Sequence, residues 1–319
     1  MGIRYNPALD GLRAIAVLAV IEYHAHWHWL GLEGALGVDV FFVLSGFLIT
    51  SLLLQEDAGG GIRLGAFYLR RARRLYPALV MLVAATVLVG WTSLGAALHA
   101  LVYVTDYVRP SEILGHTWSL SVEEHYYLLW PLLLPFVARM PRGRAVVLLG
   151  AIYVVATAWT ALQPFEWRAG VRFDTRMTGL VLGSLLAFRP RGMTLPLAAL
   201  AVGSALVIAG YTNHRPFAEA ATACIIVLSY RTTLPFLTRA PLVYLGRISY
   251  GMYLYHWPIA WALRNTLDGL PQLLLIVATT IACAAVSFQT IERWFRSPDR
   301  PAGRDIAADG SAVVAPGQP

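Results

Sequence analysis

The chain has 319 residues, 57% of them hydrophobic and only 13% charged, with a mean hydropathy of +0.59. A soluble domain carries about 45–50% apolar and about 25% charged residues, so an ordinary soluble protein is excluded for want of polar surface. The net charge of +7 comes from 25 Lys+Arg against 18 Asp+Glu; the Arg residues stand in short groups between apolar runs, as membrane flanks do, and no nucleic-acid partner is expected.

The apolar runs predict an all-α polytopic membrane protein with about ten transmembrane helices, near 9–30, 36–54, 75–94, 118–138, 145–163, 177–189, 194–211, 219–237, 243–263 and 272–292. Most approach the roughly 20 residues that cross a bilayer. The first run contains Arg13 and no small-residue cleavage site follows it, so it is retained as a span rather than removed as a signal. A weaker run at 96–108 ends beside Asp106 and Arg109 and is read as not crossing. The loop after the second run then carries Arg63, Arg70, Arg71, Arg73 and Arg74 on the same side as Arg139, Arg142, Arg144, Arg189, Arg191, Arg231, Arg239, Arg293, Arg296 and Arg300. By the positive-inside rule that side is the cytoplasm, and both termini lie there. The exception is the loop at 164–176, where Arg168, Arg172 and Arg176 fall outside beside Glu166 and Asp174.

Residues 1–296 read as one integral-membrane domain, and 297–319, rich in Pro, Gly, Ala and Asp, as a disordered cytoplasmic tail. Pro131, Pro135 and Pro258 predict kinks rather than breaks, and the string LVLGSLLAF predicts close helix packing. Cys224 and Cys283 each sit in an apolar run and read as small buried hydrophobes, with no disulfide or metal pattern.

Polar groups inside such runs are expensive and mark function. In LDGLRAIAVLAVIEYHAHWHWL, Arg13 and His24 are eleven positions apart. That is a rise of about 16 Å, too far to touch, yet eleven steps of 100° return almost to the same helix face. His24 is suited to taking a hydroxyl proton, although a histidine near a span end also serves as a plain interfacial residue. Asp39, near the outer end of the second span, either orients an imidazole across the helix pair or makes a helix-terminal hydrogen bond. Ser45 lies in LSGF, without the GxSxG elbow of a serine nucleophile, and reads as a packing hydroxyl.

The string AFYLRRARRLYPAL groups Arg70, Arg71, Arg73 and Arg74. They anchor the chain by charge, or grip an anionic ligand such as a phosphorylated cofactor, with lipid phosphate as the rival. In GHTWSLSVEEHYYLLWPLLL, Ser119 or Ser121 is placed to cap a helix that carries Glu123 and Glu124 in its first turn. One of these acids is expected to meet His24, with His116 and His125 close by in sequence. His256, inside RISYGMYLYHWPIAWAL, is costly without a partner and is a second polar-core candidate.

Taken in order, LDGLRAIAVLAVIEYH, GVDVFFVLSGFLIT, the Arg-x-x-Arg before LYP, TWSLSVEEHYYLLWP, SYGMYLYHWPI and IERWF resemble the acyltransferase-3 family of integral-membrane O-acyltransferases, from about Asn6 to Arg296. The resemblance implies a bacterial cytoplasmic (inner) membrane enzyme that moves acetyl or another short acyl group from acetyl-CoA or another acyl-CoA to a hydroxyl of a saccharide or glycan. It implies His24 as catalytic centre, Glu123 as supporting acid and Arg13 as assisting donor binding or transfer. Arg71 and Arg74 would grip the acyl donor, with Arg70 and Arg73 sharing their spacing. Asp39, His116 and His256 are candidate site-lining residues, and no metal is expected. A small glycosylated natural product such as a macrolide is the alternative acceptor, and a transporter or exporter the alternative of another class. The expected chain has no fused SGNH-type domain, so a separate acceptor-delivery protein is a further expected partner besides the lipid bilayer.

Overall fold

A computed structural model describes residues 4–25, 35–108, 111–163, 170–188, 215–292 and 295. The expected span at 194–211, the tail at 297–319 and the histidines His26 and His28 lie outside the described residues. What is described is all-α: α1 (Pro7–His24), α2 (Ala35–Ala58), α3 (Leu64–Leu88), α4 (Leu94–Leu101), a 3-10 turn (Glu112–Thr117), α5 (Trp118–Ala138), α6 (Arg142–Ala161), the single turn α7 (Phe173–Arg176), α8 (Thr178–Phe188), α9 (Arg215–Ser229), α10 (Ala240–Arg247), α11 (Ser249–Leu263) and α12 (Gly269–Ser287), which runs into a π-turn (Phe288–Glu292).

The protein is a polytopic membrane protein. Among the described residues, three helical stretches, Leu36–Ala58, Arg142–Ala161 and Gly269–Glu292, are both long and apolar enough to cross a bilayer on their own, and Thr178–Phe188 and Ala218–Ser229 are shorter apolar helices. The outward flanks are greasy: Leu88, Val147, Val155, Phe136 and Val286 are each more than half exposed, a surface that suits lipid and would be costly in water. Cys224 and Cys283 are exposed rather than in the core as expected; Glu219, Thr222 and Ile226 of α9 and Ile276, Thr280 and Ala284 of α12 take the inward positions.

Helices α1, α2, α8 and α11 form the centre. Every residue of α8 except Ala187 is buried. Gly46 and Gly183 let α2 and α8 touch backbone to backbone: a Cβ on Gly183 would lie 2.1 Å from the Val43 carbonyl oxygen, and one on Gly46 2.0 Å from that of Leu180. Thr50 and Ser184 bond across this crossing at 2.6 Å, and Trp130 and Tyr126 of α5 reach the same two hydroxyls. Helix α1 starts at Pro7 with Asn6 as its cap, the Asn6 carbonyl oxygen of the side chain accepting from the Ala8 amide at 3.0 Å. The Asn6 amide then donates to the Ser229 carbonyl at 2.8 Å, tying the start of α1 to the end of α9.

Two expectations are corrected. The arginine group before LYP is not in a loop: α3 begins at Leu64, so Arg70–Arg74 occupy its opening turns. Between Leu64 and Arg74 the one poor helix former is Gly65, in the first turn, and Leu, Ala and Arg are good ones. The run at 243–263 is divided at Ile248 into α10 and α11. Pro131, Pro135 and Pro258 lie within α5 and α11, which continue through them.

The segment at 96–108 holds only a short helix before it turns back toward α5. Its helix, α4, has eight residues, about 12 Å of rise against a hydrocarbon core of about 30 Å. Tyr76 of α3 donates to the Leu101 carbonyl at 3.1 Å, and Tyr103 sits against Tyr76 in the left-handed region at φ 54°. The chain then returns through Thr105, whose amide donates to Ser121 Oγ at 3.2 Å, and through Asp106, which pairs with His125 at 3.1 Å. Ser121 therefore fastens this segment rather than capping α5. This return carries His116 into the centre of the bundle.

Candidate active site

The site has two parts, a polar cavity and a histidine cluster. The cavity, about 170 Å³, is lined by Asp10 and Arg13 of α1, Phe41, Phe42 and Ser45 of α2, Arg71 and Arg74 of α3, Ser119, Glu123 and Tyr127 of α5, and Tyr250 and Tyr253 of α11. The packing of α3 brings two arginines of the four to the cavity. Arg71 and Arg74, at i and i+3, share the face of α3 that meets the cavity, whereas Arg70 is turned by 100° and pairs with Glu56 at 3.2 Å. Arg70 and Arg73 are not among the lining residues.

Asp10, Arg13, Arg71 and Glu123 are each held by a built contact. Arg13 pairs with Asp10 one turn earlier at 2.9 Å, and Asp10 also accepts from the Tyr5 hydroxyl at 2.8 Å. Arg71 donates to Glu124 at 3.0 Å and lies 3.4 Å over the Tyr127 ring, a cation–π contact that fixes the plane of the guanidinium. Ser45 donates to Glu123 Oε1 at 2.7 Å. Glu123 and Glu124 thus part company: one is bound to α2, the other to α3. Neither acid supplies the partner of His24 that the sequence suggested.

That partner is His256. His24 Nδ1 lies 3.0 Å from His256 Nε2 and 3.0 Å from the Val20 carbonyl oxygen, and the His24 ring also packs edge-on to Trp257. His256 Nδ1 lies against the Tyr253 carbonyl oxygen at 2.5 Å. His116 completes the group, its ring centroid 5.4 Å from that of His256 and its Nε2 donating to the Leu254 carbonyl at 3.0 Å. Burial, with His24 nearby, pushes the His116 imidazole down to about 3, so it is neutral. Among the described residues no set of three or more His, Cys, Asp or Glu side chains is arranged to hold a metal ion.

The two parts adjoin at Tyr253. Its ring lines the cavity, its hydroxyl donates to the His116 carbonyl at 2.9 Å and meets Ser119 Oγ at 2.6 Å, and its own carbonyl receives His256. On α1 the face between Arg13 and His24 is filled by Val17 and Val20, both fully buried. The shared face is therefore a packed seam, and the cavity approaches the histidines from the α11 side. Ser45 and Tyr253 were not singled out from sequence as site residues. Tyr253 carried one usable signal, standing three residues before His256 on the same helix face.

Asp39 lies elsewhere. It pairs with Arg176 at 2.9 Å, both side chains almost wholly buried, and the Arg176 guanidinium lies 4.9 Å over the Trp118 ring. Close by, Glu219 accepts from Thr178 at 2.6 Å and from Tyr153 at 3.0 Å. Asp39 is not among the cavity-lining residues; the buried guanidinium, not an imidazole, is the charge it answers.

An all-helical membrane bundle with an arginine-lined cavity beside a pair of histidines, His256 buried and His24 half-buried, defines the class, and the comparisons place the chain within it. It belongs to the acyltransferase family described as "Acyltransferase domain", which matches residues 6–290. It is 30% identical to the peptidoglycan O-acetyltransferase OatA of Listeria monocytogenes, over 91% of this chain and 55% of that one. It is 31% identical to the putative peptidoglycan O-acetyltransferase YrhL of Bacillus subtilis, over 92% and 55%, and 32% identical to the O-acetyltransferase OatA of Staphylococcus aureus, over 80% and 51%. The chain spans about half the length of these relatives. No solved structure matches it.

Proposed function

We propose that the protein is a membrane-bound O-acyltransferase that moves acetyl or another short acyl group from acyl-CoA to a hydroxyl of a glycan, with peptidoglycan-type saccharide the preferred acceptor. The observation that carries this reading is the convergence of Arg13, Arg71 and Arg74 on one cavity that ends against the helix bearing His256. A CoA thioester has a phosphate-rich head and a long thin arm. Three guanidiniums match the head, and the apolar walls supplied by Phe41, Phe42 and Leu48 match the arm. The names of the relatives favour a glycan over a macrolide-like acceptor.

In the mechanism, His24 is the general base. It removes the acceptor hydroxyl proton as the oxygen attacks the thioester carbonyl, the C–S bond breaks, and the proton passes from His24 to the departing CoA thiolate. The acyl end of the donor reaches His24 past the Tyr253–Ser119 pair. Glu123 supports the donor site through Ser45, and an arginine or backbone N–H answers the charge that develops on the carbonyl oxygen. An acyl group resting on His24 before transfer is the alternative order of the same steps.

The bundle is read as crossing a bacterial cytoplasmic membrane ten times with both termini inside, the segment at 96–108 not crossing. Helices α1, α3 and α5 count as spans although they carry charges; Asp10, Arg13, Arg71, Arg74 and Glu123 among these build the cavity. A separate acceptor-delivery protein is part of the same reading. Purified protein in detergent, given acetyl-CoA and a glycan acceptor, is expected to release CoA and form an O-acetyl ester. Full activity in His24→Ala would sink the mechanism, and movement of an acylated compound without thioester loss would favour a transporter.

A further inference from the structure

The hydrogen bonds around His24 fix which of its nitrogens carries the proton. His256 Nδ1 faces the Tyr253 carbonyl oxygen, which can only accept, so that nitrogen carries a hydrogen. A neutral His256 then has its lone pair on Nε2, directed at His24 Nδ1 3.0 Å away. A doubly protonated His256 would be a bare cation, fully buried between two other imidazoles, a costly arrangement without an anion. On the other side of the same atom, the Val20 carbonyl oxygen also faces His24 Nδ1 at 3.0 Å. Two acceptors converge on Nδ1 of His24. The reverse assignment, with His256 Nε2 donating, would set lone pair against lone pair at both Val20 and Tyr253.

We propose that His256 is a positioning residue for acyl transfer: with the Val20 carbonyl it holds His24 as the Nδ1–H tautomer, so that Nε2 is the nitrogen that takes the acceptor proton. The inference rests on the acyl-transfer reading and deepens it. The role is the one a carboxylate plays behind a catalytic imidazole, here filled by a neutral ring. A buried carboxylate would hold a fixed charge in the bundle; a second imidazole supplies the acceptor without one. His116 contributes by packing edge-on against His256, while Tyr253 anchors the far end of the relay.

The test compares His256→Leu with His256→Gln in the full chain in lipid nanodiscs, with acetyl-CoA as donor. Loss of the acceptor is expected to lower kcat about 100-fold while KM for acetyl-CoA stays unchanged, because His256 does not line the donor cavity. Gln places an amide oxygen near the Nε2 position and is expected to turn over at least about tenfold faster than Leu. A packing role predicts the opposite order, since Leu is the better apolar filler. Equal kcat in wild type and His256→Leu overturns the inference, as does slower turnover with Gln than with Leu. Should His256→Leu not fold, ¹⁵N solid-state NMR of the histidine-labelled wild type decides, with His24 assigned by difference from His24→Ala. A protonated Nδ1 and bare Nε2 are expected, and the reverse tautomer overturns the proposal. A wild-type protein that consumes no thioester would instead fail the parent reading.

Discussion

Ser45 Oγ donates to Glu123 Oε1 across 2.7 Å, joining α2 to α5 in the wall of the arginine-lined cavity. The bond gives a half-buried carboxyl group a fixed direction, with Arg71 held next to it by Glu124 and Tyr127. Replacing the hydroxyl leaves the acid without its donor inside the bundle. Ser45→Ala is therefore expected to lower stability by about 1–3 kcal/mol and to reduce acyl transfer. Thermal unfolding in detergent and a CoA-release assay measure the two effects. An unchanged melting curve would show that the bond contributes nothing.

The four arginines of α3 are expected to separate by face. Arg74→Ala removes one guanidinium from the cavity, and the loss of a charge-assisted bond worth about 1.5–3 kcal/mol raises KM for acetyl-CoA roughly tenfold or more. Arg70→Ala breaks the half-buried pair with Glu56 and should leave KM within about twofold, because Arg70 does not line the cavity. Equal effects of the two substitutions would mean that bulk positive charge, not the cavity face, binds the donor.

Asp39 and Arg176 form a pair shut away from the cavity. Asp39→Asn strips the buried guanidinium of its counter-charge, for which about 3–5 kcal/mol of destabilisation is expected. The residual folded enzyme should bind acetyl-CoA normally. A rise in KM without loss of stability would return Asp39 to the site.

Gly183 is needed for the close approach of α2 and α8, because a Cβ there would meet the Val43 carbonyl oxygen at 2.1 Å and the Phe47 nitrogen at 2.5 Å. Gly183→Ala should cost at least about 1–3 kcal/mol by overpacking. Gly143, in α6, has nothing within 4 Å of the same position, so Gly143→Ala should stabilise by up to about 1 kcal/mol through helix propensity. Paired unfolding curves check both signs.

Much of this was legible in the residue order. The scarcity of charge and the length of the apolar runs determine a helical membrane protein, since only closed backbone hydrogen bonding survives in lipid. The period of 3.6 places Arg13 and His24 on one face of α1 and pairs Arg71 with Arg74 on one face of α3. Local order could not say which face turns inward, so Arg70 and Arg73 shared the spacing equally until α3 was seen packed against α5. Nor could it say who answers whom. His24 and His256 are 232 positions apart and Asp39 and Arg176 are 137 apart, and nothing in either neighbourhood encodes its distant partner. Such pairings follow from the rotation and depth at which each helix settles. The close approach at Gly46 and Gly183 sets α2 against α8, the Thr105–Ser121 and Asp106–His125 contacts set the 96–108 segment against α5, and only the tertiary structure supplies them.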